Sequence, residues 1–302
     1  MYGEFAELFD EPSEGELPLY REWDCEINLK EGTKPIALKM RSTGPAQAAL
    51  QKAFVDKYLK LGFIRKSKSP FASQLFFVYK KNKAVKERPV VDYRLLNNAT
   101  IKEKYPLPGI DALQQRLKGA KYFTKMDAWM GFFGVRIKEG DEYKTAFRTM
   151  YGLYEWLVMG MGMSNAPGRY QRIINDILAE LIDICCIVYL DDILVYSTNL
   201  EQHRKDVRKV LTLLQKGKLR LNLAKCEFEK QQVVFCGHLI TDKGLRMDPE
   251  KSKAISEWPR PTNVKEVQSF LGTTNFVQKY IKDYSDFIAL ISELTKKNIP
   301  FV

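Results

Sequence analysis

Three carboxylates in this sequence stand at the ends of apolar runs. Asp127 follows Tyr122-Phe-Thr-Lys-Met126, and Asp191 and Asp192 follow Ile187-Val-Tyr-Leu190. A carboxylate beside such residues is costly to hold in a fold unless a cation compensates it. Acids converging from two segments attract a divalent metal. Mg²⁺ takes oxygen ligands, commonly one or two carboxylates together with phosphate oxygens. Two such ions can stabilise both the attacking and the leaving oxygen of an in-line phosphoryl transfer. Each signal alone has an ordinary reading: paired Asp suits a hairpin turn, and a single Asp can cap a helix. Together, 64 residues apart with a helix between them, they are far more specific than either part.

The elements that must position these acids follow from periodicity and turn residues. Ile184–Leu190 and Ile193–Tyr196 predict a hairpin with both acids at its turn, and Tyr122–Asp127 predicts a strand. Between them a helix is predicted from Ala166 to about Leu181, with Pro167 in its first turn. Upstream, Ala49, Leu50, Ala53, Phe54, Tyr58 and Leu61 recur at helical spacing between Pro45 and Gly62. Ser73–Tyr79 and Arg88–Tyr93 read as a strand pair around the basic tip 80–87, and a helix is predicted near Ile110–Leu117. Asn199–Lys218 suits a helix with His203, Val207, Val210, Leu211 and Leu214 on one side. Val233–Ile240 reads as a second hairpin, and residues 264–297 as mostly helical. This mixed order predicts an α+β fold rather than a wound parallel sheet.

Composition bounds the partners. The 302 residues carry 48 Lys and Arg against 37 Asp and Glu, a net charge of +11. That excess favours a polyanion, most often nucleic acid. The charge is uneven: residues 1–24 hold eight acids against Arg21 alone, so this lead reads as a linker or flexible edge and the basic surface lies beyond it. Cys25, Cys185, Cys186, Cys226 and Cys236 show no metal-ligand spacing, and with only His203 and His238 present a zinc site is not expected. The cysteines read as small apolar residues of a reducing compartment. No apolar run is long enough to span a membrane, and Met1 is not followed by a secretory leader. The expected location is intracellular, either cytoplasmic or nuclear.

Tyr189-Leu-Asp-Asp192, with Val188 before it and Ile193-Leu-Val-Tyr-Ser197 after it, resembles the catalytic box of reverse transcriptases of gypsy-type long-terminal-repeat retrotransposons. Further blocks resemble that family in the right order. Gly62–Pro70, Arg88–Asn97 and Lys104–Pro108 are similar to its fingers segments, and Lys125-Met-Asp127 and Lys144–Arg148 to its first palm block. Ser164-Asn-Ala-Pro167 with Gln171 resembles the second palm block, and Leu221–Phe228, Phe235–His238 and Val267–Gly272 continue the pattern.

The resemblance implies a right-hand polymerase of fingers, palm and thumb, with an antiparallel palm sheet and part or all of a connection domain. The expected division is an acidic lead over 1–30, fingers over 31–122, palm over 123–240, and a thumb- or connection-like helical region over 241–302 without an RNase H domain. Asp127, Asp191 and Asp192 match the catalytic, metal-holding triad, and the implied cofactor is a pair of Mg²⁺ ions, with Mn²⁺ as a possible substitute. Implied partners are an RNA template, a DNA primer or RNA–DNA hybrid, and dNTPs.

Lys81 and Arg88 match positions that close on the triphosphate; an Arg can chelate phosphate oxygens in a fork. Lys83 and Lys86 read equally as a solvated face. Phe132 matches an aromatic gate against the ribose 2′-hydroxyl, or packs in the palm core. Met161 and Gly162 match positions beside the incoming nucleotide. Lys225 matches a lysine that approaches the triphosphate and can act as a general acid, or is a plain surface lysine. Phe235, Cys236, Gly237 and His238 match the primer grip and also read as a core hairpin. Arg65, Lys66, Lys68, Lys102, Lys104, Lys251, Lys253, Lys279 and Lys282 are candidates for an electrostatic track along a hybrid.

The sequence departs from the family at Gly134, at Gly160 and Met161, at Gln278 and Lys279, and at Ala128 and Trp129. These changes bear on dNTP affinity and fidelity and leave the three acids untouched. Two rivals stand beside the polymerase reading: a catalytically inactive, co-opted fragment that binds nucleic acid, and an RNA-synthesising palm polymerase.

Overall fold

The computed structural model describes residues 2–10, 13–40, 43–79, 87–106, 108–109, 113–129 and 131–296. In chain order the elements are α1 (Pro45–Lys60), β1 (Ile64–Lys66), β2 (Ser73–Tyr79), β3 (Glu87–Asp92), α2 (Arg94–Ala99), α3 (Leu113–Arg116) and β4 (Tyr122–Asp127). They continue with β5 (Phe147–Thr149), β6 (Gly152–Trp156), α4 (Ala166–Ile177), β7 (Cys186–Tyr189), β8 (Asp192–Ser197) and α5 (Leu200–Lys216). The last are β9 (Glu227–Lys230), β10 (Gln232–Phe235), β11 (His238–Thr241), β12 (Gly244–Met247), α6 (Pro249–Ser256), α7 (Val264–Val277) and α8 (Tyr284–Glu293).

The strands form three sheets, ordered β1-β6-β5-β2-β3, β7-β8-β4-β9 and β10-β11-β12. In the first, β2 and β5 are parallel and the other neighbouring pairs are antiparallel. Pro89 lies in β3 opposite Phe77, and β3 is an edge strand, where a residue without an N–H is tolerated. The α+β class follows from this mixture.

The chain divides into two units. The first comprises residues 1–109, 126–195 and 204–226, the second 110–125, 196–203 and 227–302. An aromatic cluster anchors the first: Phe133 stacks on Phe63 at 5.6 Å and on Trp156 at 5.3 Å, and Phe54 meets Phe147 and Trp156 edge-on. Val207, Val210, Leu211 and Leu214 of α5 are fully buried there, on the side its periodicity predicts. In the second unit His203 is fully buried, with Nε2 2.7 Å from Thr124 Oγ1 and Nδ1 3.1 Å from Ser197 Oγ. The β10–β11 hairpin turns through Cys236 and Gly237 with Phe235 opposite His238.

Three expectations change. The helix from Ala166 stops at Ile177 because the chain tightens after it, Leu181 O accepting from the N–H groups of Ile184, Cys185 and Cys186. After β11, the described residues 242–296 hold β12 as well as the expected helices α6, α7 and α8. The described part of the acidic lead is anchored to the first unit. Phe5 and Leu8 are buried, and Leu221 N donates to Leu8 O at 2.7 Å. Arg220 Nη2 donates to Glu16 at 2.8 Å, and Arg220 Nη1 to Asp10 O at 3.0 Å. Its charge reads as a linker or flexible edge; two apolar side chains and these cations tie it down, while most of its described acids stay exposed.

Candidate active site

The main chain brings the acids together. Ala128 N donates to Asp191 O at 2.9 Å, and Asn222 N donates to Asp127 O at 2.9 Å. Tyr189 pairs with Asp192, so the two-residue turn of the β7–β8 hairpin is Leu190-Asp191. This corrects the expectation that both acids form the turn: the turn sits one residue earlier in the chain, and Asp192 is the first residue of β8.

Leu190 takes a φ of +52°, a left-handed conformation that costs a branched residue about 1 kcal/mol. A side chain compensates. Leu190 N donates to Gln171 Oε1 at 2.8 Å, while Gln171 Nε2 donates to Val188 O at 3.2 Å and to Asn175 Oδ1 at 2.9 Å. Asn175 Nδ2 in turn donates to Tyr105 Oη at 2.9 Å. Gln171→Leu keeps the volume and leaves Leu190 N–H and Val188 C=O without this partner, at roughly 1–3 kcal/mol for each buried group. The expected result is a lower melting temperature and a loss of at least about tenfold in any activity that needs Asp191; thermal melts and steady-state rates check it.

The carboxylates are held apart in function by their surroundings. Lys225 Nζ lies 3.1 and 3.3 Å from the Asp127 carboxylate oxygens. Asp191 Oδ1 is buried with no protein hydrogen-bond partner. Burial first, then the neighbouring Asp127 and Asp192 charges, push the Asp191 carboxyl up to about 6, with Lys225 opposing. Among the described residues no group of three or more His, Cys, Asp or Glu side chains is placed to hold a metal ion, so Asp127, Asp191 and Asp192 do not converge as a ready-made three-acid site. Such a site is not what Mg²⁺ requires, since it keeps waters and phosphate oxygens beside one or two carboxylates. An orphaned buried carboxylate oxygen, in a field of two further acids, fits a divalent cation.

The sign of the pH dependence follows. Asp191 holds a cation only when ionised, so Mn²⁺ affinity should fall about tenfold per pH unit below about 6 and level off above it. Titration of the chain with Mn²⁺ across pH 4.5–8 (about ten steps) checks this by paramagnetic resonance.

Gly131 brings backbone against the acid. Its φ is +37°, and a Cβ there would lie 2.5 Å from Asp191 Oδ1, so only glycine fits. The short helical turn Gly131–Gly134 sends Phe133 into the aromatic cluster and sets the Phe132 ring at 88° to Tyr170, centroids 5.5 Å apart. Phe132 is half-buried, so it keeps a free face. Met161 is exposed, and Gly162 follows it with φ +93°. Asn97 clamps this loop, Nδ2 donating to Gly162 O and Oδ1 accepting from Ser164 N, both at 2.8 Å.

Other expected residues fall elsewhere. Lys81 lies outside the described residues, as do Lys80, Lys83 and Lys86. Arg88 is placed by its backbone, opposite Val78 in the β2–β3 ladder. Arg65, a candidate for the basic track, is bound to Glu155 at 2.7 Å. Phe235, Cys236, Gly237 and His238 form the tight hairpin of the second unit. Cys236 and Gly237 both have positive φ, the geometry of a two-residue primed turn. His238 is buried, stacks on Phe276 at 5.1 Å, and lies 2.8 Å from Tyr280 Oη through Nδ1. Gln171 and Asn97 appeared in the sequence only as parts of motifs, without roles, and Tyr170 gave no local signal.

The pattern of the family described as reverse transcriptase (RNA-dependent DNA polymerase) matches residues 78–240. The chain is 40% identical over 300 residues to the retrovirus-related Pol polyprotein from transposon opus of Drosophila melanogaster, covering 98% of this chain and 30% of that polyprotein. It is 35% identical over 300 residues to the transposon Tf2-3 polyprotein of Schizosaccharomyces pombe, covering 99% of this chain and 22% of that one. It thus spans less than a third of these relatives. Its fold is that of the foamy viral protease-reverse transcriptase solved in complex with RNA/DNA hybrid, with a TM-score of 0.86 at 22% identity over 99% of this chain and 40% of that one. The same viral protein in complex with dsDNA gives a TM-score of 0.84 at 24% identity, over 97% and 60%. With the family pattern across more than half its residues, and an acid on β4 hydrogen-bonded through its neighbour to the turn of an Asp-Asp hairpin, the chain belongs to the reverse transcriptases of LTR-retrotransposon Pol polyproteins.

Proposed function

We propose that this chain is an RNA-directed DNA polymerase that extends a DNA primer on an RNA or DNA template, consuming dNTPs and releasing pyrophosphate. The observation that carries this reading is the juxtaposition of Asp127 with the Leu190-Asp191 turn, with Asp191 Oδ1 buried and unpartnered. Reverse transcriptases use divalent metal ions. Two Mg²⁺ ions, when bound, would supply charge stabilisation at the attacking and leaving oxygens.

The chain's own residues do the rest. Asp127 and Asp191 hold the cations, with Asp192 assisting. Lys225, 62% exposed at its side chain, compensates Asp127 and is free to turn toward a triphosphate, where it can give a proton to the departing group. Arg88 and Lys81 close on the phosphates. Phe132 presents its free face to the sugar and collides with a 2′-hydroxyl, while Met161 and Gly162 flank the base. The hairpin Phe235–His238 grips the primer end. Fingers over 31–122, palm over 123–240 and thumb over 241–302 are the division we assign. The foamy viral protein was solved with RNA/DNA hybrid and with dsDNA, and the +11 charge of this chain suits the same polyanions. Among the described residues no helix is long and apolar enough to cross a membrane.

The test is extension of a labelled DNA primer on an RNA template by the purified chain with Mg²⁺. Extension supports the reading. Tight hybrid binding without extension, in Mg²⁺ and in Mn²⁺, would favour an inactive nucleic-acid-binding fragment. Binding should also weaken about tenfold for each doubling of salt if roughly four phosphates are neutralised. A flat response would mean that the basic excess does not meet the backbone.

A further inference from the structure

The second unit holds a cation that no carboxylate claims. Lys251, on α6, lays its ammonium on the Phe276 ring of α7, 3.5 Å from the ring centroid. The lysine is half-buried, and among the described residues no Asp or Glu pairs with it. Lys253, two positions on, lies 3.9 Å from Glu257. An aromatic face offsets part of an ammonium's desolvation, but it leaves the net charge uncancelled, and the site stays open to an anion. The same ring fixes the tip of the β10–β11 hairpin. His238 stacks on Phe276 at 5.1 Å with the ring planes 14° apart, and its Nδ1 lies 2.8 Å from Tyr280 Oη. Gly237, in the turn, has a φ of +74°, and a Cβ there would collide with the Lys251 ammonium and lie 3.3 Å from the Phe276 ring. The ammonium is thus packed on the backbone of the turn, and glycine at 237 makes the room.

We infer that Lys251 is an anion-binding residue of the primer grip: its ammonium, seated on Phe276 against the Cys236-Gly237 turn, binds one phosphodiester of the primer strand. The inference rests on the polymerase reading, in which Phe235–His238 holds the primer end. A free lysine stem is flexible. Seating it on a ring that His238 also stacks upon removes much of that freedom before the ligand arrives, and such preorganisation favours binding. An ammonium meets phosphate as a point charge. The contact therefore fixes the strand's position and carries no sequence information, which suits an enzyme that must hold any primer end. In the sequence Lys251 is one base among several along the expected track. The close ring contact and the missing carboxylate set it apart.

The experiment measures binding of a DNA primer annealed to an RNA template by the parent chain, Lys251→Met and Lys251→Gln. The two variants remove the charge with different stems, and melting curves identify a variant that is damaged in its fold. Loss of one phosphate contact should make the slope of log K against log salt shallower by roughly one. The affinity gap between parent and variant should then shrink about threefold as salt rises from about 50 to about 200 mM. A set of primers, each carrying one neutral methylphosphonate linkage, locates the contact. One linkage near the 3′ end should weaken the parent and leave the folded variants unaffected. Folded variants with the parental salt slope overturn the inference. So do variants that respond to every primer linkage as the parent does. A parent chain that binds no hybrid sinks the polymerase reading and this inference together. A parent that extends primers, while the variants keep its slope and its linkage profile, sinks this inference alone.

Discussion

An Asp191→Asn chain should bind an RNA–DNA hybrid as tightly as the parent and extend a primer at least about a thousandfold more slowly, a barrier increase of about 4 kcal/mol. Asn keeps the shape of Asp and can still sit in the turn, so the Leu190 N–H to Gln171 bond and the Ala128 N–H to Asp191 C=O bond remain available. What it lacks is the charge. The same substitution should raise the melting temperature of the metal-free chain at pH 7. Because the folded-state pKa of Asp191 is raised from 3.8 to about 6, its ionised form works against folding. That cost is present above pH 6 and fades as pH falls through 6 toward 3.8. Allowing for solvent screening of a partly exposed group, the gain is on the order of 1 kcal/mol, or about 2–4 °C. Activity and stability thus move in opposite directions, as expected of a strained functional charge and not of a structural one. A rate loss accompanied by a lower melting temperature would instead mean a damaged fold.

Phe132→Ala should relax discrimination against ribonucleotides on the order of 100-fold, about 2.7 kcal/mol of transition-state energy, with a smaller effect on dNTP incorporation. The effect is steric. A repulsive contact rejects the wrong sugar without strengthening binding of the right one. Phe132 can act so because its backbone is fixed from both sides. Gly131 is held against Asp191, and Phe133 is stacked between Phe63 and Trp156. Separate kcat/KM values for a dNTP and its rNTP counterpart measure the effect. An unchanged ratio with normal dNTP kinetics would assign Phe132 to core packing alone. An RNA-synthesising enzyme would already incorporate rNTPs readily in the parent.

The legibility of this site tracks how local its causes are. Asp127, Asp191 and Asp192 could be read because an acid interrupting an apolar run is visible within a few residues. The hairpin that carries two of them was visible for the same reason. Which acid occupies the turn depended on the β7–β8 register, and a one-residue change in where the ladder closes decides it. Gln171 and Asn97 were invisible as clamps because their partners lie 19 and 65 positions away; no periodicity reports such a bond. The strands β1 and β5 have three residues each, too few for alternation to show. The acidic lead misled in the opposite way. Its eight acids dominated its composition, while two buried apolar side chains, Phe5 and Leu8, govern how it sits.

The central claim is that Asp127 and Asp191 share a divalent cation. The direct measurement is anomalous diffraction from crystals of the chain grown with an RNA–DNA hybrid, Mn²⁺ and an unreactive dNTP analogue. An anomalous peak is expected about 2.1 Å from a carboxylate oxygen of each of Asp127 and Asp191, with Lys225 displaced from Asp127. Bound hybrid and nucleotide with no peak within coordination distance of either carboxylate would contradict it.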